Sequence, residues 1–184
     1  MNTQYLLFNG EINEKSTNAL TSAITDAMND TAIDDIYVAF CSNGGQVNCG
    51  VGAHHFLKAS PKPITMHGIG PINSIALCVF MGVPKRYATS ATTFQFHGVG
   101  RWLNQGTYTS PILRDHLSLI TGDETALARI WKGHMKIDDS EADSFFQGEH
   151  VHNCEWAISK GLIEDVNDFY IPASSIGRIR NVAW

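Results

Sequence analysis

Ser74 follows the segment Gly68-Ile-Gly-Pro-Ile-Asn73 and directly precedes an apolar block, residues 75–81. A block of that length and apolarity, closed by Gly82 and Pro84, reads as a buried helix. A helix start carries unpaired N–H groups and the positive end of the peptide dipole, so an oxyanion formed beside Ser74 would be stabilised there. Serine also leads the residues that cap helices, and capping is the plainer reading of Ser74 taken alone. A nucleophile needs a base. His97 ends the run Phe94-Gln-Phe96 and is followed by Gly98-Val-Gly100, which puts an imidazole where a strand gives way to a loop. Beside Ser74 it would be placed to accept the hydroxyl proton. Gly44-Gly45 reads first as a tight turn. At the end of a buried strand it is also a point where backbone can approach a ligand.

These positions depend on the elements that carry them. Residues 5–8 form a short strand ending at Asn9-Gly10, and a helix follows with Ser16 as its cap and Leu20, Ile24, Ala27 and Met28 at helical spacing. Residues 36–40 are apolar without alternation, as in a strand covered on both faces of a parallel sheet. Val51, Ala53, Phe56 and Leu57 mark a second helix, residues 64–67 a strand, and residues 68–70 a tight loop. Tyr87-Ala88 and residues 93–97 read as strands. The order β-α-β-α-β-α-β-β predicts an α/β fold with right-handed crossovers. Residues 110–135 then form a long amphipathic pattern with an expected break at Thr121-Gly122-Asp123. A short helix at residues 156–158 stops at Gly161, and a strand follows at residues 162–166. One domain over residues 1–184 with a helical projection is the simplest organisation.

The chain has 184 residues, of which 43% are hydrophobic and 17% charged, enough for a packed core and too little charge for a disordered chain. Thirteen Lys and Arg against 18 Asp and Glu leave a formal charge of −5, so no basic field points to nucleic acid. No basic, apolar leader and no membrane-length apolar run is found, and a cytoplasmic protein is expected. Cys41, Cys49, Cys78 and Cys154 lack CxxC spacing and read as buried free thiols. His150-x-His152-x-Cys154 has no further ligand at standard spacing, so neither a metal nor any other cofactor is expected.

The block Ile36-Tyr-Val-Ala-Phe-Cys-Ser-Asn-Gly-Gly45, then Gly70-Pro-Ile-Asn-Ser74, then Phe94-Gln-Phe-His97, resembles the proteolytic subunit of the Clp protease, a family of serine peptidases. That family has a strand ending in Ser-Pro-Gly-Gly, a Gly-x-x-x-Ser nucleophile turn and a strand ending in His. The interval from Gly45 to Ser74 matches without a gap, that from Ser74 to His97 is slightly shorter near Gly82, and the likeness runs on to Gly161-Leu-Ile-Glu-Asp165. The resemblance implies the Clp protease and crotonase type of α/β fold, a spiral of β-β-α units with a projecting handle, here residues 108–150. It implies Ser74 as nucleophile, His97 as general base, and the N–H groups of Gly45 and Ile75 as the oxyanion hole. An extended peptide would lie between Gln46 and Val47 on one side and the segment near Gly100 on the other, held by main-chain hydrogen bonds.

Three departures stand out. Asn43 replaces the usual proline. Glu149 occupies the place of the third triad member, an aspartate in the family, with Asp143 as the fallback. The chain begins at the strand that family members reach only after a helix and an axial loop at the ring entrance, which leaves an ATPase partner uncertain. The expected assembly is a homo-oligomer, a ring or stacked rings, acting on peptides or unfolded proteins. Two other readings compete. A catalytically silent scaffold subunit would keep the fold alone, and an acyl-CoA enzyme of the crotonase type would keep the oxyanion hole without the serine. A Ser-Lys dyad is disfavoured, because Lys85 is too near and Lys132 too far along the chain.

Overall fold

The computed structural model describes residues 2–175 and 177–183. At its centre β1 (Thr3–Asn9), β2 (Asp35–Ser42) and β3 (Ile64–Asn73) lie side by side and parallel. The absence of alternation in residues 36–40 has its expected cause, since Ile36, Val38, Ala39 and Phe40 are all buried. With β4 (Lys85–Ala88), β5 (Phe94–Phe96), β6 (His150–His152), β7 (Asp165–Val166) and β8 (Ile179–Ala183) these strands form one sheet. Its main path runs β6-β5-β3-β2-β1-β8, with β4 and β7 branching from β3. Only the β5–β6 pair is antiparallel among the described ladders.

The branch positions the site. One edge of β3 pairs first with β4, from Thr65 opposite Lys85 to Gly68 opposite Ala88, and then with β5, Ile72 opposite Phe94 and Asn73 opposite Gln95. The tight loop expected at residues 68–70 is therefore strand. Its other edge stays on β2 as far as Ile72, and the Gly68 carbonyl accepts from Thr89 N–H at 2.8 Å and from the Thr92 hydroxyl at 2.9 Å, so the chain stays extended.

The helices are α1 (Glu14–Asn29), α2 (Val47–Lys58), α3 (Ala76–Phe80), α4 (Ser110–His134), α5 (Asp139–Ser144) and α6 (Cys154–Ser159). Ser16 does not cap α1. Asn13 does, accepting from Ser16 N–H at 3.0 Å, while the Ser16 hydroxyl accepts from Asn13 N–H at 3.1 Å, a reciprocal capping box. The expected break at Gly122 is absent, because one glycine costs a helix only about 1 kcal/mol, and α4 runs unbroken through it, 25 residues in all. The C-terminal half of α4 buries Leu127, Ala128 and Trp131, whereas Ile112, Leu113, Leu117 and Leu119 in the N-terminal half are exposed, so that half projects. The strand expected at residues 162–166 shortens to β7, since the N–H groups of Leu162 and Ile163 turn back to the Ala157 carbonyl at 2.8 and 3.4 Å. All four thiols are free, but only Cys78 and Cys154 are buried.

Arg86 joins the end of α4 to the rest. It is buried, donating from Nε to the Leu162 carbonyl at 2.6 Å and from its terminal nitrogens to the carbonyls of Val83 and Gly161 at 2.5 and 3.0 Å. Close by, His54 on α2 is buried against the Cys78 carbonyl, 2.8 Å from Nδ1, and its ring meets that of His134 edge-on at 5.1 Å. Burial first, then His54, Arg86 and Lys58, push the His134 pKa down to about 4. Between that value and the ordinary 6.5 the unfolded chain binds a proton that the folded chain refuses. Stability contributed here is full above pH 6.5 and is lost as the pH falls toward 4. Chemical denaturation at stepped pH should show this fall, and His134→Gln should flatten it; an unchanged slope in the variant would remove His134 as the cause.

Candidate active site

Ser74 lies at the sharp turn from β3 into α3 with φ +57°, and it is the one non-glycine residue with positive φ among the described residues. A side chain held in that region costs about 1–3 kcal/mol, which the surrounding structure must offset. Here the hydrogen bond from Ser74 N–H to the Gln95 carbonyl, 2.8 Å, extends the β3–β5 pairing and holds the turn. The capping reading of Ser74 does not hold: Ile75 is the N-cap of α3, no side chain caps that helix, and Ser74 Oγ bonds no described residue. The hydroxyl is left free at the mouth of a cleft.

The glycine turn packs directly against it. A Cβ on Gly44, where φ is +99°, would lie 2.7 Å from Ser74 Cβ and 2.9 Å from the Asn73 carbonyl oxygen. On Gly45, where φ is +150°, it would lie 2.1 Å from the Ile12 carbonyl oxygen. Both positions therefore require glycine. Asn43, standing where proline is usual, accepts from Asn73 Nδ2 at 3.1 Å and so ties the turn to the strand that delivers Ser74. The N–H groups of Gly45 and Ile75 donate to no described residue.

His97 is half-buried one residue beyond β5. Its Nδ1 lies 2.7 Å from the Gly98 carbonyl oxygen. A carbonyl only accepts, so in the neutral ring Nδ1 carries the proton and the lone pair is on Nε2. Ser74 and His97 line one cavity of about 420 Å³, whose apolar walls come from Val47, Ile75, Val99, Leu127 and Trp131. An adjoining cleft of about 870 Å³ runs between Gln46 and Val47 on one side and Gly100 to Trp102 on the other, the two segments expected to flank a peptide.

Glu149, the expected third member, makes no hydrogen bond to His97. The pairing of Phe96 with His150 puts Glu149 across from His97, but Glu149 is exposed and its carboxylate accepts from Gln95 Nε2, while His97 has turned Nδ1 to its own neighbour's carbonyl. Asp143 lies on α5 in a separate cavity, with Thr121 and Phe146. Glu124 escaped the sequence reading. Its Oε1 accepts from Val99 N–H at 3.2 Å, and no local pattern points from the middle of α4 to the loop after His97. Among the described residues no group of three or more His, Cys, Asp or Glu is placed to hold a metal ion, and His152 instead stacks on Trp156 at 3.6 Å. No helix among them is long and apolar enough to cross a membrane.

A family model, Clp protease, matches residues 1–169. The chain belongs to the Clp protease family. Among solved structures, a point mutant of ClpP1 from Listeria monocytogenes is similar over 90% of this chain and 92% of its own, with a TM-score of 0.79 and 15% identity. No curated protein matches by sequence. The Clp protease fold accounts for the branched sheet and for the projecting half of α4, and the expected fold class stands. Within that fold the contact between Gly44 and Ser74 should be intolerant of any side chain. Gly44→Ala is expected to destabilise the protein by about 1–3 kcal/mol through forced φ and backbone collision, measured by denaturant titration. A midpoint equal to wild type would show that the turn has room the geometry denies it.

Proposed function

We propose that this chain is a serine peptidase in which Ser74 attacks a peptide carbonyl and His97 takes the hydroxyl proton at Nε2, returning it to the leaving amine. The observation that carries the reading is the free Ser74 hydroxyl on a positive-φ turn, sharing a cavity with an imidazole whose Nδ1 is committed to a carbonyl. The N–H groups of Gly45 and Ile75 receive the oxyanion, and neither has another partner to give up. The substrate backbone lies in the adjoining cleft between Gln46 and Val47 and the segment at Gly100, with an apolar side chain turned toward Leu127 and Trp131.

Glu149 serves as a counter-charge to the imidazolium from across the β5–β6 pair, not as its hydrogen-bond partner, because Gln95 holds its carboxylate. Membership in the Clp protease family supports a peptidase that assembles in rings. The exposed Leu113, Leu117 and Leu119 of α4 suit an interface between copies in such a homo-oligomer. Peptides and unfolded chains are the proposed substrates.

A fluorophosphonate probe tests the chemistry directly. Mass spectrometry should find Ser74 phosphonylated in the wild type and unmodified in Ser74→Ala, with at least a 100-fold lower rate in His97→Ala. Glu149→Gln should slow labelling by far less than the roughly 10⁴-fold seen when a directly bonded triad acid becomes an amide. An unlabelled wild type would favour the silent scaffold.

A further inference from the structure

His97 is oriented by a peptide group, and that peptide group is itself held. The Gly98 carbonyl that accepts from His97 Nδ1 at 2.7 Å and the Val99 N–H that donates to Glu124 Oε1 at 3.2 Å belong to the same amide. The loop is also confined sterically: a Cβ on Gly98 would stand 2.8 Å from the Phe146 carbonyl oxygen and 3.4 Å from Glu124 Oε1. From this chain of contacts we propose that Glu124 is the positioning residue of His97, acting through the Gly98–Val99 peptide. The proposal rests on the reading of His97 as the base for Ser74.

An amide whose N–H is bonded to a carboxylate is polarised, and its oxygen becomes a stronger acceptor. When the Ser74 proton passes to Nε2, the positive charge that spreads to Nδ1–H is met by that oxygen. No proton moves to Glu124. The carboxylate thus acts at one remove, where a triad acid would bond the imidazole itself.

Of the other carboxylates nearby, Glu149 is bonded to Gln95, Asp123 pairs with Arg101 at 3.0 Å, and Asp143 lines one cavity together with Glu124. Glu124 is half-exposed on α4, just before the residues that helix buries, so replacing it removes little packing.

The test compares Glu124→Ala with Glu124→Gln by two readouts. In protein carrying ¹⁵N-histidine, with the His97 signal assigned by its loss in His97→Ala, nuclear magnetic resonance should find the proton on Nδ1 in the wild type. It should remain there in Glu124→Gln, whose amide oxygen still accepts from Val99, and be lost or divided between tautomers in Glu124→Ala. The fluorophosphonate labelling rate of Ser74 should fall about 10- to 100-fold in Glu124→Ala, the range seen when the outer partner of a metal-bound histidine is removed, and be largely rescued in Glu124→Gln. An Nδ1 proton and labelling rate in Glu124→Ala equal to wild type would overturn the proposal, as would equal losses in the two variants. If the tautomer follows Glu124 but Ser74 is never labelled, the positioning role stands and the serine peptidase reading falls.

Discussion

Between Gly68 and Ile72 one edge of β3 gives up β4 and takes β5, and the placing of every group in the cleft follows from that exchange. A strand that kept β4 throughout would carry Ser74 past the sheet with no neighbour. By pairing Asn73 with Gln95 and continuing through Ser74 N–H to the Gln95 carbonyl, the chain delivers the serine beside the strand that ends in His97. β2 runs along the opposite edge, and the glycine turn that follows it closes over the same point. Three neighbouring strands thus bring hydroxyl, imidazole and unpaired N–H groups together, and the strain at Ser74 is held by hydrogen bonds on one side and by close packing on the other.

The electrostatics of the cleft differ from a direct triad. His97 has its Nδ1 on a carbonyl, and neither Glu124 nor Glu149 bonds it directly, the one lying behind a peptide group and the other across a strand pair. At position 149 the glutamate carboxylate accepts from Gln95. The arrangement still leaves Nε2 free.

Much of this was legible in sequence order. The unbroken apolar run of β2 marks a buried parallel strand, and Gly44-Gly45 a tight turn. Other features depend on contacts that no local pattern records. Gly68 to Gly70 look like a loop until β2 and Thr92 claim their polar groups, and Gly122 looks like a break until the rest of α4 outweighs one glycine. The family pattern pointed to Glu149 but could not show that Gln95 would take its carboxylate. Glu124 was invisible because its partner lies 25 residues away on a loop.

The central claim is that Ser74, His97 and the N–H groups of Gly45 and Ile75 act on one reacting centre. A crystal structure of the protein after reaction with a fluorophosphonate tests it most directly. The account predicts phosphorus bonded to Ser74 Oγ, with a phosphonyl oxygen about 2.7–3.1 Å from both N–H groups and His97 Nε2 facing the adduct. An adduct on another residue, or a phosphonyl oxygen turned away from Gly45 and Ile75, would contradict it.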